Sequence, residues 1–303
     1  MKKKKILVLG GGYSKERSIS LRSTKAIIKS INKSYRLKFC DPSKNFFKTI
    51  RNFKPDIIFN ALHGRFGEDG YIQSIFETLG IKYTHSGVIS SMSAMDKEIS
   101  KKIFIKNKIL TPKFVKLKTN NNINYTKIEN YLNYPVVIKP LNEGSSLDVF
   151  ICNNKSALSN RLKKMRNYNE VLIEKFIPGR EIQVAIMGEK ILGPIELKPQ
   201  RKFYDYKAKY NSNAKTKHII PVNLNKKHLN KVNQIALKAH KILNCRGITR
   251  SDFKFYKNKF YLLELNTQPG MTNLSLVPEI ASHNGINFKS LIEWMIKDAS
   301  KKR

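Results

Sequence analysis

The chain has 303 residues, more than most single domains, and 41% of them are hydrophobic, enough to form the cores of two or three domains. No apolar run approaches the ~18 residues of a membrane span, and the short run at 6–9 behind the basic start does not predict a secretory signal, so we expect a cytoplasmic protein without a membrane partner. The formal net charge is +36, but the basic residues are mostly lysines spread through every segment, which is typical of a solvated surface and predicts no specific nucleic-acid partner.

Strands and helices alternate in the first part of the chain, from Lys5 to about Tyr83. Apolar runs predict strands at KILVLG, YRLKFCD, DIIFNAL and IKYT. Amphipathic stretches predict helices over Ser20–Ile31 and Tyr71–Leu79. This alternation favours a doubly wound parallel sheet, whose ligand-binding residues lie at the carboxyl ends of the strands.

The rest of the chain predicts more β structure. One helix is expected across SMSAMDKEISKKIFIKNKI, and another over Lys155–Met165, between strands at NYPVVIKP and EVLIEKFIPG. Strands EIQVAIMG and KILGPIEL precede a polar, aromatic stretch at about 199–221 that has no periodicity. Structureless loops of this length are uncommon in compact domains unless they are functional, so we predict a lid. A helix over Lys226–Leu243, strands ITRSDFKFY and KFYLLELN, and a helix from Asn287 follow.

Three glycines, at positions 10–12, end the first predicted strand. The dinucleotide-binding fingerprint G-x-G-x-x-G would require a further glycine where Lys15 stands, and Asp41 is a weak candidate for a ribose contact. The loop is therefore compatible with two interpretations, a ligand that approaches the backbone closely or a tight turn alone.

Two further segments place polar residues directly after predicted strands. In ALHGRFGEDG, His63 stands with Arg65, Glu68 and Asp69 at the end of the third strand, where a site is expected, although a solvated loop is the alternative. In VVIKPLNEGSS, Lys139 ends an apolar strand and precedes a loop of small residues. A lysine there can reach a phosphate, and the loop amides can bind phosphoryl oxygens, although many lysines simply follow strands.

The strongest motif lies in the last two predicted strands, which bring together Asp252, Glu264 and Asn266. Oxygen ligands without His or Cys are typical of Mg²⁺ shared with nucleotide phosphates. Glu264 and Asn266 are two residues apart and share one strand face, and Arg250 shares the face of Asp252 for the same reason. A surface hairpin with scattered acids is the alternative, but it does not explain why Glu264 directly follows the apolar run YLL.

Together these segments resemble the D-alanine–D-alanine ligase family of the ATP-grasp superfamily. The resemblance covers nearly the whole chain in the order GGYSKERSIS, ALHGRFGEDG, THSGVISSMSAMDK, VIKPLNEGSS, VLIEKFIPGREI, FYDYKAKY, RSDF and LELNTQPGMTNLSLVP. It implies an α/β fold, with α+β character in the ATP-grasp part. An N-terminal doubly wound, substrate-binding domain of residues 1–95 would be followed by a central ATP-grasp subdomain of 96–178 and a C-terminal one of 179–303.

The resemblance also implies an activity. ATP would phosphorylate the carboxylate of one D-alanine, and the amine of a second D-alanine would attack the acyl phosphate. The reaction would release ADP and phosphate. Its product, D-alanyl-D-alanine, would serve peptidoglycan precursor synthesis. A homodimer is implied as well. Two Mg²⁺ ions, or Mn²⁺ in their place, would be held by Asp252, Glu264 and Asn266.

Further roles follow from the resemblance, residue by residue. Residues implied in catalysis are Glu16, Ser145, Tyr210, Arg250 and Gly270. Residues implied in substrate binding are His63, Lys209, Ser275 and Leu276. Residues implied in ATP binding are Lys97, Lys139, Glu174, Lys175, Ile177 and Glu181.

In the catalytic set, Glu16 would pair with the ammonium of the first D-alanine. It would also form a hydrogen-bonded trio with Ser145 and Tyr210 that closes the site against water. Arg250 and the Gly270 amide would stabilise the oxyanion of the tetrahedral intermediate.

Some positions depart from the family pattern. Lys207 stands where an acid is common, EGSSLDV lacks the usual glycine after its serines, and Gln268 and Leu274 lie near the second subsite. These departures put the shape of the serine loop and the affinity of that subsite in doubt.

Three other functions are weighed against the sequence. A D-alanine–D-lactate ligase shares the scaffold but tends to replace the lid tyrosine, present here as Tyr210. A nicotinamide-dependent oxidoreductase conflicts with Lys15 and leaves the acidic group of the last strands without a task. A nucleic-acid-binding module predicts strongly salt-dependent binding to duplex DNA and no role for Arg250.

Overall fold

A computed structural model of the chain describes residues 3–144, 147–198, 216–272 and 275–300. The described strands form three sheets that follow one another along the chain, a parallel sheet and then two antiparallel ones. The predicted α/β class, with a parallel N-terminal sheet and a more mixed remainder, is confirmed. Among the helices of the described residues, none is both long and apolar enough to cross a membrane.

The first sheet is parallel and has helices on both faces. Its strands, in the spatial order β2-β1-β3-β4, are β1 Lys5–Leu9, β2 Arg36–Cys40, β3 Ile57–Asn60 and β4 Lys82–Tyr83. Its helices are α1 Arg17–Ile31, α2 Phe46–Phe53 and α3 Tyr71–Thr78. Ile6 and Val8 pack with α1 on one side, whereas Leu7 and Leu9 pack with α2 and α3 on the other. Burial on both faces explains why β1 reads as a continuous apolar run.

The second sheet is antiparallel and covered by helices on one face. Its strands, in the order β5-β8-β6-β7, are β5 Phe114–Lys118, β6 Val136–Pro140, β7 Phe150–Cys152 and β8 Glu170–Lys175. Helices α6 Tyr125–Leu132 and α7 Lys155–Lys164 pack on Val136 and Ile138. Since side chains alternate along a strand, Val137 and Lys139 face the opposite way and line a cleft.

The third sheet is antiparallel and has helices on both faces. Its strands, in the order β11-β10-β9-β12-β13, are β9 Arg180–Met187, β10 Lys190–Lys198, β11 Lys217–Ile219, β12 Ile248–Tyr256 and β13 Lys259–Asn266. Helix α8, Lys226–Ile242, covers one face, and helices α9, Leu276–His283, and α10, Phe288–Ser300, cover the other. Helix α10 also packs against α1, so it joins the cores of the first and third sheets.

The single helix predicted across SMSAMDKEISKKIFIKNKI is wrong. The segment forms two helices, α4 Val88–Met95 and α5 Lys97–Lys106, separated at Asp96. Asp96 adopts an extended conformation, and its carboxylate accepts hydrogen bonds from the backbone N–H groups of Glu98 and Ile99, each 2.9 Å long. An aspartate that caps a helix in this way starts a new helix, which places Lys97 in the first turn of α5.

Other elements differ from the prediction in smaller ways. Helices α2, α6 and α9 and strands β5 and β7 were not predicted. Of the predicted lid, residues 199–215 lie outside the described part of the chain, and Lys217–Ile219 form strand β11, paired with β10. The C-terminal end of the predicted loop is therefore a strand. A polar and aperiodic sequence does not reveal such backbone pairing with a neighbouring strand.

Candidate active site

Two clefts meet on the face of the third sheet that carries Asp252 and Glu264. The first has a volume of about 770 Å³ and lies between the second and third sheets, and the second has about 850 Å³ and lies between the first and third. Glu264 lines both. Every predicted site residue that the structure describes lines one or both clefts, whereas Ser145, Lys209 and Tyr210 lie outside the described residues.

The first cleft contains a buried group of opposite charges. Lys139 on β6 donates a hydrogen bond of 2.7 Å to Oε1 of Glu174 on β8, and Lys101 on α5 lies 2.9 Å from Oε2 of the same carboxylate. Burial raises the pKa of Glu174, but the two ammonium groups outweigh burial and hold that pKa below its usual value. The carboxylate is therefore ionised and fixed between two lysines.

Lys97 enters the same cleft from the first turn of α5. Its ammonium donates a hydrogen bond of 2.5 Å to the carbonyl oxygen of Glu143, just before the serine loop. Burial lowers the pKa of Lys97, and the nearby carboxylate of Glu264 opposes this effect. Lys97 and Lys139 thus place two cations in one cleft, an arrangement suited to a polyanionic ligand.

The first cleft also holds the residues predicted for adenine and ribose. Glu174, Lys175 and Ile177 follow one another along and just beyond β8, and all three line the cleft. The ammonium of Lys175 is bound by the backbone oxygens of Asn133 and Tyr134, 3.1 and 3.3 Å away. Glu181 on β9 also lines the cleft, and its carboxylate pairs with Lys254 at 2.9 Å.

The oxygen ligands predicted for a metal lie where the clefts meet. Asp252 is opposite Glu264 in the pairing of β12 with β13, and Arg250 is opposite Asn266, so all four side chains share one face of the sheet. Arg250 binds both oxygens of Asp252, at 2.7 and 2.9 Å. Within the described residues, no cluster of three or more His, Cys, Asp or Glu side chains is arranged to hold a metal, and the third donor here is the amide of Asn266. Two carboxylates and an amide oxygen nevertheless fit Mg²⁺, which prefers such donors.

The segment that follows the glycine loop at 10–12 contributes a buried side chain to the second cleft. Glu16 follows this loop at the start of α1 and is 5% exposed. Gly144 lies so close that a methyl group added to it would stand 2.6 Å from Oε1 of Glu16. A buried carboxylate facing a cleft is suited to bind an ammonium group.

His63 lies beside Glu16 in this cleft. Its Nδ1 is 2.9 Å from Oε1 of Glu68, and its Nε2 is 3.2 Å from the hydroxyl of Ser23. Burial lowers the pKa of His63, but the hydrogen bond and charge of Glu68, together with the charge of Glu16, raise it overall. The predicted polar cluster of ALHGRFGEDG therefore contributes His63 and Glu68 to the site.

The glycine loop is a supported turn and not a dinucleotide site. Asp41, the weak candidate for a ribose contact, accepts hydrogen bonds from the Gly12 amide at 3.0 Å and from Arg17 at 2.5 Å. Gly11 and Gly12 both have positive φ, and a side chain at Gly11 would collide with Asp41. The turn is therefore tight, and Glu16, four residues after it, lines the second cleft. The interpretation of a ligand that approaches the loop backbone stays a prediction.

The far wall of the second cleft follows β13. Gly270 precedes Thr272, whose amide and hydroxyl each lie 2.9 Å from the hydroxyl of Ser275. Ser275 stands at the N-cap position of α9 without a capping hydrogen bond from its side chain, and Leu276 is the first residue of the helix. Among the cleft residues that the sequence did not single out are the charged or amide side chains of Arg22, Glu143, Gln183 and Lys254. Gln183 could have been found, because it lies two residues after Glu181 on the same strand face.

The three sheets and the clefts between them define the class of the protein. A cleft lined by charged residues between two antiparallel sheets, next to a parallel sheet that borders a second cleft, is the architecture of the ATP-grasp enzymes.

Comparison with known proteins identifies the family within that class. Residues 38–86 match the family described as "D-ala D-ala ligase N-terminus", and residues 103–297 match "D-ala D-ala ligase C-terminus". A D-alanine–D-alanine ligase from Pelagibacter ubique is 65% identical over 98% of this chain and 98% of its own length, and one from Zymomonas mobilis is 42% identical over 98% and 94%.

Solved structures agree with this assignment. The crystal structure of D-alanine–D-alanine ligase from Bacillus anthracis complexed with ATP has a TM-score of 0.87 and 31% identity, and the match covers 98% of this chain and 97% of that one. The chain belongs to the D-alanine–D-alanine ligase family.

Proposed function

We propose that this protein joins two D-alanine molecules into D-alanyl-D-alanine in an ATP-dependent reaction. The observation that supports this most strongly is the position of Glu264, in the wall between a cleft lined by Lys97 and Lys139 and a cleft with a buried carboxylate. A nucleotide in one cleft and an amino acid in the other would bring the terminal phosphate next to the amino-acid carboxylate. The relatives named above support the choice of substrates.

The reaction we propose has two steps. A carboxylate is a poor electrophile without a good leaving group, so one carboxylate oxygen of the first D-alanine first attacks the terminal phosphorus of ATP, and ADP leaves. The amine of the second D-alanine then attacks the acyl carbon to form a tetrahedral intermediate. Inorganic phosphate leaves with the shared oxygen, and the amine loses a proton to give the peptide bond.

The residues of the first cleft would bind the nucleotide. Lys97 and Lys139 would contact phosphate oxygens, whose negative charge they would neutralise during transfer. Glu174 and the backbone from Lys175 to Ile177 would bind the adenine edge. Glu181 would accept hydrogen bonds from the ribose hydroxyls while it keeps its partner Lys254.

We propose that Asp252, Glu264 and Asn266 hold Mg²⁺ at the junction of the clefts. When bound, Mg²⁺ would supply positive charge to the phosphate oxygens. The two hydrogen bonds from Arg250 orient the carboxylate of Asp252 in advance. The pairing of β12 with β13 places this carboxylate on the same face of the sheet as Glu264.

The residues of the second cleft would bind and orient the amino acids. Glu16 would bind the ammonium of the first D-alanine, with His63 beside it. Arg250 and the Gly270 amide would stabilise the oxyanion of the tetrahedral intermediate, as hydrogen-bond donors do in other acyl transfers.

Further binding and closing roles are also proposed. Ser275 and Leu276 would contact the second D-alanine. The roles of Ser145 and Tyr210 in closing the site, and of Lys209 in binding substrate, stay predictions from the sequence.

Several broader points are part of the same proposal. We propose that the product serves peptidoglycan precursor synthesis and that the reaction, which consumes ATP, takes place in the cytoplasm. A homodimer and the division of the chain into 1–95, 96–178 and 179–303 also remain proposals. Sedimentation and limited proteolysis would test these two points.

Phosphate release tests the proposed reaction. Purified protein with ATP, Mg²⁺ and D-alanine is expected to release one phosphate for each dipeptide detected by mass spectrometry, and L-alanine is the control substrate. A parallel reaction with D-lactate separates the depsipeptide alternative. Efficient ester formation with D-lactate, without any dipeptide from D-alanine at neutral pH, would contradict the proposal.

A further inference from the structure

Lys101 is a buried lysine that the proposed reaction has not used. It is 0% exposed, although it lies in a helix segment rich in lysines. Its ammonium lies 2.9 Å from Oε2 of Glu174 and donates a hydrogen bond of 2.8 Å to the hydroxyl of Thr111. A buried lysine is costly unless it is paired, so both partners are needed to keep this one inside.

Helix α5 directs Lys97 into the first cleft and Lys101 toward the carboxylate of Glu174, which lines that cleft. Lys97 and Lys101 are four residues apart and therefore lie one above the other on the same helix face. The same helix packs through Phe104 into the core of the third sheet. Glu174, in contrast, belongs to the second sheet. The pair of Lys101 with Glu174 thus joins the two sides of the cleft.

Lys139 and Lys101 each contact a different oxygen of the Glu174 carboxylate. Oε1 accepts from Lys139, and Oε2 faces Lys101. Burial lowers the pKa of Lys101 to about 8, and the charge of Glu174 opposes a larger fall, so at pH 7 the ammonium form predominates. Without Lys101, the carboxylate would have Lys139 as its single cationic partner and would be free to turn toward it.

We propose that Lys101 is a positioning residue that sets the orientation of Glu174 for recognition of the base of the nucleotide. This inference rests on the proposed function, in which Glu174 contacts adenine. An ionised carboxylate accepts about four hydrogen bonds, so Glu174 keeps acceptor sites for the 6-amino group of adenine beside its two lysines. By holding Oε2, Lys101 also leaves the Lys139 ammonium available to phosphate.

Nucleotide selectivity tests this role directly. Inosine triphosphate carries an oxygen in place of the 6-amino group and cannot donate to Glu174. Calorimetric Kd values for ATP and inosine triphosphate are to be compared among the wild type, Lys101→Met and Lys102→Met. Lys102 is a matched control, because it lies on the same helix with its side chain 67% exposed and pairs with Glu98.

The loss of the charge-assisted hydrogen bond between Glu174 and the 6-amino group of adenine is expected to weaken the affinity for ATP about tenfold. Lys101→Met is therefore expected to weaken ATP binding about tenfold and inosine triphosphate binding much less, so that selectivity falls. Lys102→Met is expected to retain both affinities. Unchanged selectivity in a folded Lys101→Met protein would overturn the proposal, since a purely structural loss would weaken both nucleotides equally.

A double-mutant cycle separates action through Glu174 from an independent effect. If Lys101 acts through Glu174, Lys101→Met adds little to the selectivity already lost in Glu174→Gln, and additive losses would count against it. Thr111→Val, which removes a single hydrogen bond from Lys101, provides a milder variant if Lys101→Met does not fold, and a smaller loss in the same direction is expected. No change in Thr111→Val selectivity would then refute the proposal.

Nucleotide binding is measured without D-alanine. A wild type that binds ATP selectively but forms no dipeptide would contradict the proposed reaction alone, whereas a working ligase with unchanged selectivity in the variants would contradict this inference alone.

Discussion

Mild acid is expected to destabilise the third sheet through His240. This residue lies in α8, is 4% exposed, and has its Nδ1 2.8 Å from the hydroxyl of Thr249 on β12. Burial lowers the pKa of His240 to about 4, and the backbone hydrogen bond with Cys245 opposes this only in part. The folded protein therefore keeps a neutral imidazole at pH values where an unfolded chain binds a proton.

The size of the effect follows from the two pKa values. The unfolded chain takes up a proton near pH 6.5, whereas the folded protein does so only near pH 4. Stability is complete above pH 6.5 and decreases as the pH falls toward 4, by about 3 kcal/mol in total at about 1.4 kcal/mol for each pH unit. About 2 kcal/mol of this loss is expected between pH 6.5 and pH 5.

Urea unfolding at pH 7 and pH 5 measures the change. The wild type is compared with His240→Gln, whose absolute stability is expected to be lower but whose stability changes about 2 kcal/mol less between the two pH values. His283→Gln is the control, because His283 is exposed at the end of α9. Equal pH dependence in the wild type and His240→Gln would refute the reasoning.

Two further predictions concern the second cleft. Gly144→Ala would place a methyl group 2.6 Å from Oε1 of Glu16, so kcat/KM for D-alanine is expected to fall about a hundredfold with little change in ATP affinity. The control is Gly87→Ala, whose methyl group would meet nothing closer than 3.6 Å and which should retain activity. Equal rates for both variants would contradict the predicted contact with Glu16. Arg250→Met is expected to lower kcat by about two to three orders of magnitude in a stopped-flow or coupled assay. Arg180→Met, which breaks a similar two-point pair with Glu196 outside both clefts, should leave kcat nearly unchanged, and a similar fall in kcat for both variants would show that the loss is structural.

The sequence was most informative where residues share the face of a strand. Spacing by two predicted that Arg250 and Asp252 share one face of their strand and that Glu264 and Asn266 share one face of theirs. The register of β12 with β13 shows that both pairs lie on the same face of the sheet. That register could not be predicted from spacing alone. A β-bulge follows Asp252, and its position depends on how the two strands pack.

Helix α5 shows what the sequence could not reveal. Lys101 and Lys102 are neighbours of identical chemistry, but one is completely buried and the other has a side chain that is 67% exposed. Which lysine faces inward depends on where the helix begins, and Asp96 determines that start by capping the first turn. The capping pattern was present in the sequence, but the carboxylate that receives Lys101 comes from Glu174, more than seventy residues away along the chain. Burial of a charge is thus decided by a distant partner.

Because Glu264 belongs to the walls of both clefts, neither cleft can be filled without a change in the electrostatic potential of the other. Thermodynamic linkage makes such an influence mutual. If bound nucleotide changes the affinity for D-alanine by a given factor, bound D-alanine changes the affinity for nucleotide by the same factor. A compound that occupies the amino-acid cleft and reaches Glu264 is therefore expected to show a potency that depends on the ATP concentration, even though it does not compete for the nucleotide cleft.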